Sequence, residues 1–120
     1  MKLFRRKNEV TLNRIHHTVI VNENGEKLKL VVNADPMRLT AGLTKAQAKL
    51  RQAISKETPE MEEIHDAALL FSTVMFGSEQ AGKLFEFYAG DSACVINVCS
   101  QVFTNQLADK ITAAQKRMKV

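Results

Sequence analysis

At 120 residues the chain is about one domain long, enough to bury a core without disulfide or metal staples. Its 45% hydrophobic and 25% charged residues are the proportions of a globular protein, which excludes a wholly disordered chain. The formal net charge of +4 belongs to the ends. Lys2, Arg5, Arg6 and Lys7 crowd one end and Lys110, Lys116, Arg117 and Lys119 the other. Taking those eight from seventeen leaves nine basic residues against all thirteen acids, so residues 8–109 carry a net −4.

The basic opening MKLFRRKNEV has no apolar segment behind it and does not read as a secretory signal. No run approaches the roughly 18–20 uninterrupted apolar residues of a spanning helix. A reducing compartment is therefore expected, with Cys94 and Cys99 as free thiols. Val10, Leu12 and Arg14 fit a short first strand or an irregular arm equally well. His17, Val19 and Val21 then alternate with Thr18, Ile20 and Asn22. After the turn signal of Asn22-Glu23-Asn24-Gly25, Leu28, Leu30 and Val32 alternate with Lys27, Lys29 and Val31. That pattern predicts a β-hairpin over about 17–32.

The remainder reads as helix. Asp35-Pro36 places a capping side chain before the residue best suited to a first helical position, and Met37, Leu43, Ala46, Leu50 and Ile54 follow at helical intervals. A helix over 36–56 is expected, with Gly42 and Thr44 as weak points that could split it. Thr58-Pro59-Glu60 repeats the start signal for a helix over 59–76, with Glu60, Glu62 and Glu63 near its positive end. From Ala67 to Phe76 this helix is apolar nearly all round, so it is either central in the fold or meets a partner. Gly77 closes it. Ser78-Glu79 opens a short helix over 79–89 whose Ala81, Leu84, Phe85 and Tyr88 share a face, while Phe87 points away from that face. Gly90 ends that helix and Asp91 caps the last, over 92–116. The expectation is a single α+β, mainly α, domain over 1–120: a hairpin and four helices, with flexible basic ends at about 1–8 and 116–120.

The stretch KLFEFYAGDSACVINVCSQVFTNQL, residues 83–107, is the densest in chemistry-bearing side chains, so whether it is a site or a wall decides the function class. Its Gly-Asp is punctuation between two helices. Five residues apart on one α-helix, Cys94 and Cys99 diverge by about 140° and can neither bridge nor share a metal. His16 and His17 face opposite sides of a strand, and His65 lies on another element. Glu60, Glu62, Glu63 and Asp66 read as a solvated complement to the helix dipole. No glycine-rich phosphate loop, Gly-x-Ser-x-Gly or His-Glu-x-x-His is present. No catalytic, metal-binding or cofactor-binding residue is expected, and the protein reads as a non-enzyme. The candidate contacts are apolar: Phe71, Met75, Phe76, Phe87, Tyr88 and Phe103 are the residues expected to meet a partner.

Residues 66–117 resemble the small tail assembly chaperones of long-tailed bacteriophages and prophages of Gram-positive bacteria. The resemblance is carried by Phe76-Gly77 before a charged turn, by Phe85-Glu86-Phe87-Tyr88 with Gly90-Asp91 behind it, and by the closing Ile111-Thr112-Ala113-Ala114-Gln115-Lys116. It implies a self-associating protein of the host cell cytoplasm. Such a protein binds and solubilises the tape measure protein during virion morphogenesis, with the tail tube protein as a second partner. Two other classes stay open: a phage structural component, such as a connector or tail completion protein, and a small nucleic-acid-binding regulator. Nucleic acid is not the expected partner, because no single helix carries a concentrated basic face.

Overall fold

The computed structural model describes residues 13–118, so the proposed strand at Val10 and Leu12 lies outside the described residues. Arg14 precedes the first strand and is exposed. Strand β1 (Ile15–Glu23) pairs antiparallel with β2 (Glu26–Ala34). Asn24 and Gly25 close the hairpin at φ 52° and 89°, the two positive values that a tight two-residue turn requires. The register sets Ile15 opposite Ala34, Val19 opposite Leu30 and Val21 opposite Leu28, all on the core face. The edge of β2 is covered by one side chain. Gln80 accepts from the Val31 N–H at 2.7 Å and donates to the Val31 carbonyl at 2.8 Å, as a neighbouring strand would.

Helix α1 (Pro36–Ile54) starts where its signal predicts, with the Asp35 carboxylate accepting from the Arg38 N–H at 3.0 Å. It is continuous through Gly42 and ends two residues short of the expected 56. Its buried side differs from the expected one. Leu39, Leu43, Ala46 and Ala53 are buried and Leu50 half-buried, whereas Met37 and Ile54 are 60% and 56% exposed. Leu39 to Ala53 keep an alternating spacing of four and three, and Met37 and Ile54 fall about 200° and 100° off that stripe.

Helix α2 (Met61–Phe76) begins two residues after its predicted start. Thr58 is not its cap. Instead Glu60, in extended backbone, accepts from the Glu63 and Ile64 N–H groups through its carbonyl. An ion pair between Lys56 and Glu63 closes the intervening turn and holds the first turn of α2 to the end of α1. Of the two readings of its apolar half, the central one holds: α2 packs against α1, β2 and the two following helices. Gly77, at φ 84°, separates it from α3 (Ser78–Phe87). Ala89 and Gly90 then reverse the chain at φ 52° and 80°, the Gly90 N–H donating to the Phe85 carbonyl at 2.8 Å. Asp91 accepts from the Ala93 and Cys94 N–H groups to start α4 (Ser92–Val102).

The expected last helix is one rod with a fault in it. Between α4 and α5 (Ala108–Met118) lies a π-helical turn, Phe103–Leu107. Buried positions run Val95, Cys99, Val102, Leu107, Ile111 and Ala114, so one interval is five residues where the others are three or four. A straight α-helix would turn Leu107 about 140° away from Val102; the wider π turn returns it to the same face. A single buried cluster joins the hairpin to all five helical segments.

Candidate functional site

The 83–107 stretch is mostly wall. Cys99 is buried and its thiol is pushed up to about 12 by burial. Cys94 is half-buried, its thiol raised by burial and then by a hydrogen bond to Asp91. Reactive thiols need the opposite shift, so neither is poised as a nucleophile. Tyr88, raised by burial and then by Glu23, donates weakly to the Glu23 carboxylate at 3.4 Å. Among the described residues no three His, Cys, Asp or Glu side chains converge as a metal ligand set.

In native protein at neutral pH a maleimide is expected to modify Cys94 slowly, and Cys99 only after denaturant is added, as read by intact-mass spectrometry. Rapid double labelling of native protein would contradict this burial. The sign of the alkaline effect follows from the raised Cys99 value. The stability it contributes is fully present below the ordinary thiol value of 9.0 and is lost as pH rises toward about 12.

The histidines are separately employed. The ring of His17 accepts at Nδ1 from Lys110 Nζ (2.9 Å) and donates from Nε2 to Gln106 Oε1 (2.7 Å), tying β1 to the π turn and to α5. His65 Nδ1 lies 3.2 Å from Ser92 Oγ, and its ring stacks obliquely on Phe85 with centroids 5.1 Å apart.

The expected partner contacts divide. Phe71, Met75 and Phe76 are 2%, 2% and 5% exposed; they are core, and in this fold they present no surface to a partner. The physical reason is that α2 is central, so nearly all its apolar side chains are consumed by neighbouring elements. Tyr88, Phe87 and Phe103 are half-buried. Phe87 does not stand clear of the fold: it packs against the core and meets Tyr88 edge-on at 5.1 Å. Phe85, expected on the core side with Leu84, is likewise half-buried, and only Leu84 is fully covered.

The apolar surface lies elsewhere. Met61 is 74% and Leu69 45% exposed, and each stands four residues from the exposed His65, so the three follow one another along one side of α2. The Phe85 ring against His65 widens this stripe, and Ile54 lies across the turn from Met61. Neither Met61 nor Leu69 is among the contacts expected from the sequence. On a helical projection Met61 lies about 20° from Ala68, so periodicity alone places it with the buried face; it is exposed as the first residue of α2.

No family model, curated protein or solved structure matches the chain.

Proposed function

We propose that this protein is a tail assembly chaperone that binds and solubilises the tape measure protein while a phage tail is built. The resemblance of residues 66–117 supports the reading, and the exposed stripe of Met61, His65 and Leu69 carries it. A flexible methionine, a leucine and a histidine along one helix, with the Phe85 ring of α3 against that histidine, suit the apolar side of a partner helix. A long ruler protein exposes such sides until the tube encloses it, and a stripe lent to it shields them. In the absence of that partner a second copy of the chain would cover the stripe, so self-association is expected.

The test is co-expression with a phage tape measure protein, scoring soluble complex. Met61→Asp with Leu69→Asp is expected to abolish capture. Both sites are exposed, so the variant should keep its circular dichroism and lose little stability, about 0.5 kcal/mol per site. If the wild type leaves the ruler insoluble and unbound, the chaperone reading fails. If the double variant captures it as well as wild type does, the docking stripe is wrong.

A further inference from the structure

The first described residues and the last helix, far apart in sequence, meet in space. Asn13 donates from Nδ2 to the Ala114 carbonyl at 3.1 Å, and its Oδ1 accepts from Arg117 at both Nε (3.2 Å) and Nη2 (3.0 Å). Beside it Arg14 donates from Nε to Asn33 Oδ1 at 2.9 Å and from Nη2 to the Asn33 carbonyl at 3.0 Å. Both guanidinium groups are thus held in place by neutral amides rather than by carboxylates. A cleft of about 220 Å³ opens between them, lined by Arg14, Ile15, His16, Lys110, Ala113 and Arg117. On its other side Arg14 also lines a cleft of about 470 Å³ with Arg38 and Lys45.

Among the described residues the ion pairs are Lys56–Glu63 and Lys83–Glu79, so none of these five cations has a carboxylate partner there. The one acid lining either cleft is Asp35, whose carboxylate is engaged by the Arg38 N–H.

We infer that this junction of the chain ends binds the phosphate backbone of nucleic acid, without regard to base sequence. Fixed guanidinium forks match phosphate oxygens in a bidentate way, and a row of unpaired cations is what a phosphate backbone requires. In the smaller cleft the lining also favours nucleic acid over an acidic protein. A protein partner needs apolar anchors, and the 220 Å³ cleft offers only buried Ile15 and the small Ala113. The one ring lining either cleft is the imidazole of His16, and cations held on phosphates make no base-edge contacts, which are what read sequence.

Fluorescence anisotropy of the full chain with labelled 20-base-pair DNA duplexes of two unrelated sequences tests this. Equal affinity for both is expected, with a log–log salt slope of about −4 or steeper for five or more phosphate contacts. Arg14→Gln with Lys110→Gln and Arg117→Gln should weaken binding tenfold or more at about 0.1 M salt and reduce the slope by about three. The double charge-conserving control, Arg14→Lys and Arg117→Lys with Lys110 kept, should hold the slope and so distinguish lost contacts from a lost fold. Lys27→Gln and Lys83→Gln, outside the clefts, should change nothing. Four results would overturn the assignment: no binding at low salt, a slope unmoved by the glutamine variant, strong preference for one duplex, or tighter binding of polyglutamate or phosphatidylserine vesicles than of DNA.

Discussion

Gly42→Val is expected to lower the stability of the fold by about 3 kcal/mol, on the order of 10 °C in melting temperature. The cause is one close approach. A Cβ placed on Gly42 would lie 2.6 Å from Val74 Cγ1 and 2.9 Å from Cγ2, where α1 crosses α2. Val74 is β-branched and stiff in a helix, so it cannot swing aside as a lysine or methionine would, and the helices must separate instead. Separation opens the contact between Leu39, Leu43 and Ala46 on one side and the α2 core on the other. Helix propensity alone predicts the reverse sign, since valine replaces glycine in a helix interior. Val74→Ala should restore more than half of the loss, because it removes the two atoms in conflict. Urea unfolding of the two single variants and the double variant measures this. A Gly42→Val protein as stable as wild type, or no rescue, would show that the helices do not approach there.

That contact illustrates what the sequence could reveal. Starts and stops were legible where one residue's chemistry decides them: Asn24-Gly25 for the hairpin turn, Asp35-Pro36 and Asp91 for helix starts, Gly77 and Gly90 for stops. The α+β, mainly α, architecture follows from those marks and from the switch of period after Pro36. Gly42 was read as a weak point because propensity is local, whereas its purpose is set by Val74, more than thirty residues away. Gln80, which closes the edge of β2, bears no sequence mark at all, since a half-buried glutamine looks like any surface residue. Three of the six candidate contacts fell in the core for a related reason. Apolar density marks what is buried, so choosing Phe71, Met75 and Phe76 selected the core, while the exposed Met61 and Leu69 stood out only once α2 was seen to be surrounded. The basic residues were visible as charge, but the meeting of Asn13 with Arg117 is a property of the fold.

Deleting Asn105 is expected to leave the protein folded, whereas deleting Thr73 should abolish cooperative folding. Both remove one residue from a helical segment that carries core side chains, and the difference lies in the π turn. Asn105 is an exposed member of Phe103–Leu107, where one interval between buried positions is five. Its removal makes that interval four, so an ordinary α turn brings Leu107, Ile111 and Ala114 to the face of Val95, Cys99 and Val102. The wider turn loses its unusual hydrogen bonding, and Gln106 shifts from His17, so the hydrogen bond linking β1 to this segment is lost at a cost of about 1 kcal/mol. α2 has no such slack. Removing Thr73 rotates Met75 and Phe76 by about 100° out of the core, and their burial cannot be recovered by tightening a turn. Losing two such side chains costs several kcal/mol, comparable to the whole stability of a domain of this size. Circular dichroism melts of the two deletion variants decide the matter. A cooperative transition for the Thr73 deletion, or none for the Asn105 deletion, would mean that the π turn does not set the register of the final helix.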